Sequence, residues 1–200
     1  MLAATAEPSD EAERRARLAG LFAADPRISA LLAMLRAQGP QDCWLVSGAL
    51  YATLWNALTG RPPAHGIKDF DIAYFDPDLS EAAEAREIAR FERAAASLGL
   101  CAPVEPRNQA RVHLWYPARF GARYPRLRRA TQSLRLYASR CHAVAARLGP
   151  DGLEIEAPFG LSELFEMRVV PNRILPNRAT HEEKGARILR RWPEAVVEPW

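Results

Sequence analysis

The stretch VSGALYATLWN at residues 46–56, followed by IKDFDIAYFD at residues 67–76, decides the fold of this chain. The apolar run from Cys43 to Val46 predicts a short buried strand, which leads through Ser47-Gly48 directly into a helix. The segment from Asp69 to Phe75 predicts a second strand, and a turn-prone segment follows it. A strand, a helix and a returning strand in close succession indicate an α/β domain.

Helices and further strands are predicted on both sides of this stretch. Asp10 and Glu13 form a capping box for a helix that ends near Ala24, and a second helix runs from Pro26 to Gly39. The later predicted elements are a helix from Ser80 to about Leu98, a third strand at Gln109–Tyr116, a helical or irregular stretch at Arg119–Ala138, a hairpin of Cys141–Leu148 with Leu153–Ala157, a short helix in residues 160–167 and a last helix near 180–191. We expect residues 1–8 to be disordered and residues 9–200 to form a single domain.

The bulk composition is that of a globular chain, with 48% hydrophobic and 26% charged residues among 200. No stretch approaches the roughly 18–20 apolar residues that span a membrane. The N-terminus turns charged where a signal peptide needs an apolar segment. We therefore expect a cytoplasmic protein without a membrane partner. Cys43, Cys101 and Cys141 are widely spaced, so neither a disulfide framework nor a zinc site is expected.

The basic residues are 25 Arg against 2 Lys, and the formal net charge is +3. The densest basic run, residues 119–129, contains Arg119, Arg123, Arg126, Arg128 and Arg129. Guanidinium groups suit bidentate contacts with phosphate, so this run has two interpretations. Composition alone favours a solvated face over a phosphate-binding surface.

Asp69 and Asp71 are the candidate metal ligands. Residues i and i+2 of a strand point to the same face, so the two carboxylates project side by side. Adjacent anions repel unless a cation lies between them, and Mg²⁺ is a hard ion that binds carboxylate oxygens. Because acidic-x-acidic triplets also arise by chance, the spacing alone leaves ordinary surface carboxylates as the competing interpretation.

Ser47-Gly48, at the strand-to-helix junction, is the candidate phosphate site. A helix N-terminus presents free N–H groups and the positive end of the helix dipole. Glycine lets the backbone approach a phosphate closely, and the hydroxyl of Ser47 can donate a further hydrogen bond. The helix and turn that follow return the chain, so the phosphate site and the two Asp side chains can meet at one edge of the sheet.

These motifs resemble the Gly-Ser or Gly-Gly helix and Asp-x-Asp strand of the DNA polymerase β-like nucleotidyltransferases. NQARVHLWYP at residues 108–117 and LEIEAPFGLSELFEMRVVPN at residues 153–172 are similar to one small bacterial family of that superfamily, once described only as a domain of unknown function. The resemblance covers about residues 40 to 190, with four segments in the same order.

The resemblance implies a polymerase β-like fold, a mixed β-sheet flanked by helices. It also implies Mg²⁺ or Mn²⁺ on Asp69 and Asp71, and nucleotide phosphates at Ser47 and Gly48. The reaction of such enzymes is in-line attack by an acceptor hydroxyl on the α-phosphate of an NTP, with pyrophosphate leaving. Two metal ions about 3.5–4 Å apart would assist it.

One departure from the superfamily pattern concerns a third carboxylate, which such enzymes usually carry on a neighbouring strand. The predicted strand at 109–116 places Arg111 and His113 on one face and contains no acid. His113 is a candidate ligand or proton acceptor, because its unperturbed pKa is about 6.5, and a structural histidine is the competing interpretation. Glu154 or Glu156 could supply the missing acid from later in the chain.

Lys68 and Arg111 are further candidates for binding the triphosphate, with surface or structural roles as the alternative. The first functional hypothesis is an enzyme that transfers a nucleoside monophosphate from NTP to a hydroxyl of a small molecule, a protein or RNA. The second is a non-catalytic nucleotide- or RNA-binding protein of the same fold, and a phosphohydrolase is a third. The sequence carries no signal for oligomeric state.

Overall fold

The computed structural model describes residues 10–200, so the disorder predicted for residues 1–8 lies outside the described part. The helices are α1 Glu11–Ala24, α2 Pro26–Gln38, α3 Gly48–Thr59, α4 Glu81–Ala95, α5 Val112–Phe120, α6 Ser162–Phe165 and α7 Arg178–Arg191. The strands are β1 Cys43–Val46, β2 Phe70–Tyr74, β3 Val104–Asn108, β4 Ala145–Gly149, β5 Gly152–Glu156, β6 Arg168–Val169 and β7 Val196–Val197. Two 3₁₀ turns, Ala130–Leu136 and Arg140–His142, lie between α5 and β4. Whether residues 9–200 fold as one domain stays a prediction.

Each of the two N-terminal helices begins after an aspartate that caps it, and Asp10 is the cap that the sequence predicts for α1. The Asp10 side chain accepts a hydrogen bond from the Glu13 amide at 2.8 Å. Asp25 caps α2 in the same way, accepting from the Arg27 amide at 2.9 Å, and Pro26 occupies the first helical position. These bonds satisfy amides that a helix start otherwise leaves unpaired. The hairpin of β4 and β5 and the last helix are present, but β4 begins at Ala145 rather than Cys141, because residues 140–142 form a 3₁₀ turn.

The central sheet has five strands in the order β3-β2-β1-β4-β5. β2 and β3 run parallel, whereas the pairs β1–β2, β1–β4 and β4–β5 are antiparallel. The predicted mixed sheet flanked by helices is therefore confirmed. β6 and β7 form a separate parallel pair near the C-terminus.

The two faces of the sheet carry different cores. Leu45 and Ile72 point to the face that α1 to α4 cover, and they belong to the main hydrophobic core. Trp44 and Ala73 point to the other face and pack with Leu134 of the first 3₁₀ turn in a smaller cluster. Side chains alternate along a strand, so Asp71 lies on the same face as Ala73, opposite the main core.

The predicted third strand at 109–116 is wrong, because residues 112–120 form α5. Strand β3 lies earlier, at Val104–Asn108, and includes Pro106. Proline weakens a strand signal, but β3 is an edge strand, where a missing N–H donor is tolerated. The buried residues of α5, Val112 and Tyr116, follow helical spacing rather than alternation.

Among residues 10–200, no single helix is long and apolar enough to cross a membrane. α1 and α2 reach that length and composition only together, as a pair bent by 91°.

Arg111 ties α5 to α4. Its guanidinium forms a buried ion pair with Glu84, and its Nε donates to the Leu79 carbonyl oxygen at 3.0 Å. Glu84 also accepts a hydrogen bond from the Asn108 amide at 3.0 Å, so the pair fixes the end of β3. Removing one partner of such a pair leaves an uncompensated charge inside the protein.

We predict that Arg111→Met lowers the free energy of unfolding by roughly 3–5 kcal/mol, because Glu84 stays buried without its cation. Arg86→Gln, a substitution on the exposed side of α4, serves as the control and should change stability by less than about 0.5 kcal/mol. Urea denaturation monitored by circular dichroism measures both. Equal stabilities of Arg111→Met and Arg86→Gln would contradict the structural role.

Candidate active site

Ser47 forms the sharp turn between β1 and α3. Its φ of 57° and ψ of −110° lie in a region that residues other than glycine rarely adopt. The turn is held because the Ser47 amide donates to the Val144 carbonyl at 2.9 Å and the Ser47 carbonyl accepts from the Leu50 amide at 3.0 Å. Its side chain makes no capping bond to α3. Backbone strain of this kind clusters at functional sites.

Asp69 and Asp71 meet at the start of α3. A Cβ built on Gly48 would lie 3.7 Å from Asp69 Oδ1 and 3.8 Å from Asp71 Oδ2. Both carboxylates therefore face the same point beside the helix N-terminus. The structure thus brings together Ser47, Gly48, Asp69 and Asp71, four of the six residues that the sequence proposed for phosphate and metal.

The two carboxylates carry charge that their surroundings do not balance. Burial, with the charge of Asp69 as the second cause, raises the pKa of Asp71 from the usual 3.8 to about 6. Lys68 opposes this shift only weakly. Its Nζ lies 3.4 Å from Asp69 Oδ2, but 65% of its side chain is exposed. A site with excess negative charge favours a bound cation.

Lys184 is a site residue that the sequence analysis missed. It lies on α7, lines the same cavity as Ser47 and Asp71, and is partly buried. Burial lowers the pKa of Lys184, and the charges of Asp71 and Asp69 oppose that shift. Lys68 and Lys184 are the two lysines of the whole sequence, and both lie beside the Asp pair.

A third carboxylate stands on the neighbouring strand, at a position that the sequence analysis did not consider. Glu105 of β3 is the register partner of Asp71 on β2. Register partners in a parallel pair point to the same face, and Glu105 also lines the cavity. Glu154 and Glu156 are on β5, at the opposite edge of the sheet, and Glu154 pairs with Arg147.

The remaining candidates from the sequence are not brought into the site. Arg111 is held by Glu84, as described above. His113 does not line the cavity, and its two ring nitrogens are buried with no hydrogen-bond partner in the described part of the chain. Both residues were assigned on the premise of a strand at 109–116, which the structure replaces with a turn and a helix.

The cavity that Ser47 and Asp71 line has a volume of about 290 Å³. Its polar wall consists of Ser47, Asp71, Glu105, Arg107, Gln109, Asn177, Thr180 and Lys184. Its other wall is largely aromatic, with Trp115, Tyr116, Phe120, Tyr124 and Tyr137. An apolar pocket with a few convergent polar groups is the usual form of a small-molecule site.

Asp69 and Asp71 fit a hard divalent cation. Their oxygens are the ligands that Mg²⁺ prefers, they face one point, and Gly48 adds no side chain there. Burial, and after it the charge of Asp69, raises the pKa of Asp71, and a cation bound between the carboxylates would oppose both effects. No group of three or more His, Cys, Asp or Glu side chains within residues 10–200 is close enough to hold a metal, so Glu105 stands beside the pair rather than completing a cluster with it.

The architecture defines the class of protein. The fold is similar to that of a solved NMR structure described as a CCA-adding enzyme head domain, with a TM-score of 0.73 and 23% identity. The match covers 92% of this chain and 96% of that one. This similarity establishes a polymerase β-like nucleotidyltransferase fold.

The particular family follows from the sequence match. A family described as Nucleotidyltransferase matches residues 33–197. The chain belongs to this nucleotidyltransferase family, as the resemblance in its motifs led us to expect. No curated protein matches the chain at a significant level.

We predict that Asp71→Asn stabilises the metal-free protein at pH 8. The folded-state pKa of Asp71, about 6, is above the usual 3.8. Its ionisation therefore lowers the free energy of unfolding as the pH rises from about 4 to 6, and the loss persists above that range. Asn carries no such charge, so the free energy of unfolding should rise by roughly 2 kcal/mol at pH 8, with a Tm increase of about 4–8 °C. The gain should disappear near pH 4.

Thermal denaturation in EDTA between pH 4 and pH 8 measures this effect. Asp151→Asn, at an exposed hairpin position, is the matched control and should show no pH-dependent gain. An Asp71→Asn protein less stable than wild type at pH 8 would show that the carboxylate is not electrostatically strained.

Proposed function

We propose that the protein transfers a nucleoside monophosphate from an NTP to an acceptor hydroxyl, with Mg²⁺ or Mn²⁺ as cofactor. The observation that carries the proposal is the meeting of the Asp69 and Asp71 carboxylates beside Gly48, at the start of α3. Membership in a nucleotidyltransferase family supports it.

In this proposal the helix start holds the phosphates. The first amides of α3 and the positive end of its dipole attract an anion, and the Ser47 hydroxyl, which makes no capping bond, can donate to it. Asp69 and Asp71 would hold the divalent ion, which supplies charge neutralisation at the phosphate oxygens. The charges of Lys184 and Lys68 act on the carboxylates and add positive charge to the site.

Glu105 is the candidate proton acceptor. The acceptor hydroxyl gives its proton to the Glu105 carboxylate as its oxygen forms a bond to the α-phosphorus. The bond from that phosphorus to the oxygen bridging to the β-phosphorus breaks, and pyrophosphate leaves with the electron pair. Glu105 lies on the cavity wall directly beside Asp71, where such a hydroxyl would enter. The site contributes mainly positioning and charge stabilisation.

The second candidate function is non-catalytic binding of a nucleotide or RNA. One observation favours it: in the described residues no three potential ligands are close enough together for a metal cluster. The binding function needs only the α3 N-terminus and the lysines. The two candidate functions differ in whether the nucleoside monophosphate of NTP is transferred to another molecule.

Binding of Mg²⁺-NTP should depend on the Asp pair. In isothermal titration calorimetry the wild type should bind, whereas Asp69→Asn/Asp71→Asn should lose at least about tenfold in affinity, because the double variant lacks the carboxylates that would hold the divalent ion. Asp76→Asn/Asp78→Asn, another Asp-x-Asp pair, is the matched control. Equal affinities of the two double variants would place the metal elsewhere.

Label transfer separates an enzyme from a binding protein. With α-labelled NTPs and a cell extract, the wild type should label an acceptor, and Glu105→Gln should reduce the rate by about 10²–10⁴ while Mg²⁺-NTP affinity changes little. Glu92→Gln makes the same chemical change on the exposed side of α4 and should leave the rate unchanged. Absence of label with every NTP would favour the binding function.

A further inference from the structure

Residues 106–150 contain ten arginines and no acidic residue. This segment includes the end of β3, α5, the following loop and both 3₁₀ turns. It supplies the aromatic wall of the cavity and part of the polar wall. A continuous basic segment beside a candidate active site raises the local concentration of polyanions.

The aromatic wall is a connected set of rings. The ring centroid of Tyr116 lies 4.6 Å from that of Phe120 and 4.7 Å from that of Tyr124. All three side chains line the cavity, together with Trp115 and Tyr137. Phe120 is 42% exposed, so its ring is accessible from solvent at this wall. Such rings are a sequence-tolerant platform for stacking a base.

Arginines flank these rings along the chain. Arg119 and Arg123 each precede a cavity-lining ring, and Arg126, Arg128 and Arg129 follow within a few residues. All five are exposed, and none forms an ion pair with an acidic residue in the part of the chain that the structure describes. We call these five arginines the arginine rim. The Arg119 guanidinium lies over the Phe120 ring, 5.4 Å from its centroid. Because all five side chains are exposed, their guanidinium groups can contact an external anion.

Arg107 extends the positive charge into the cavity. It lies on β3, two residues after Glu105, and both line the cavity wall. Arg107 is exposed and forms no ion pair within the described residues. Basic groups therefore lie both at the loop of the rim and beside the candidate proton acceptor.

We propose that the acceptor is a single-stranded nucleic acid, whose terminal base stacks on the aromatic wall while its phosphates bind the arginine rim. The inference rests on the proposed function only in giving the strand the role of acceptor. Binding of the strand does not depend on that function. A cavity of about 290 Å³ has the size of a small-ligand site and admits an unpaired end rather than a duplex. The terminal ribose then lies in the same cavity as Glu105, as the transfer step requires.

The composition of the segment favours a nucleic acid over a small molecule or a protein acceptor. A small molecule would use the cavity but not five exposed arginines outside its polar wall. An acidic peptide would use the arginines but not a wall of stacked rings. A single strand uses both, since it offers a base and a phosphate at every nucleotide.

Fluorescence anisotropy with a labelled 12-nucleotide single strand, in EDTA and without NTP, tests the proposal. The probes are RNA, DNA of the same sequence, and the DNA duplex. The single strands should bind more tightly than the duplex, with an affinity that falls as salt rises. Binding of either single strand supports the proposal, and tighter binding of the RNA assigns the acceptor to RNA.

Matched variants locate the contact. Arg123→Gln/Arg126→Gln should reduce the slope of log affinity against log salt by about 1.4, because each lost phosphate contact on a single strand removes roughly 0.7. Arg86→Gln/Arg93→Gln, two exposed positions on α4, makes the same change in net charge and should leave the slope unchanged. Phe120→Leu, at an exposed ring, should weaken binding by about 5- to 150-fold through lost stacking.

Three results would overturn the inference. The first is an equal decrease of the salt slope in the two double-arginine variants. The others are duplex binding as tight as single-strand binding, and an unchanged single-strand affinity in Phe120→Leu. The test is independent of the proposed chemistry, because Asp69→Asn/Asp71→Asn should bind the single strand at least as tightly as wild type. A wild-type protein that binds the single strand but transfers no nucleotide from any NTP would refute the proposed function alone, and transfer by the wild type to an acceptor other than nucleic acid would refute this inference alone.

Discussion

The repulsion between the Asp69 and Asp71 carboxylates is the constraint on which the site depends. Strand β2 and the residue before it fix both side chains on one face, and the start of α3 lies against them. The chain supplies only two lysines to oppose this charge, one of them mostly exposed. Burial first, and the charge of Asp69 second, raises the pKa of Asp71 despite the opposing charges of the two lysines. The fold therefore maintains a local excess of negative charge beside a helix end that attracts anions, and a cation and a phosphate together satisfy both.

The parts of the site that sequence alone could predict are those set by local structure. Ser47-Gly48 sits at a strand-to-helix junction, and the i, i+2 spacing of Asp69 and Asp71 fixes their common face, whatever the rest of the chain does. Helix starts at Asp10 and Asp25 follow from side chains that bond their own neighbouring amides. The mixed sheet and the family came from the resemblance, and the structure and the family match confirm both.

The missed residues depend on pairing between distant segments. Pro106 weakens the sequence signal for strand β3. Only the parallel register of β3 with β2 shows that Glu105 lies beside Asp71. The apolar residues of α5 have helical spacing that resembles the alternation of a strand. A strand there would bring Arg111 and His113 to the site, but in the structure neither residue lines the cavity. Lys184 is remote in sequence, but one signal pointed to it: a chain that otherwise uses arginine retains lysine at two positions, where a compact ammonium beside carboxylates differs from a planar guanidinium.

The division of the sheet into two faces has a consequence for how this protein can change over evolution. The main core lies beneath β1 and β2 on the side of α1 to α4, whereas Asp71, Ala73 and the aromatic rings lie on the opposite side. Substitutions in the loop that bears those rings touch few residues of the main core. Substitutions in that loop can therefore reshape the cavity while leaving in place the core that supports the two aspartates.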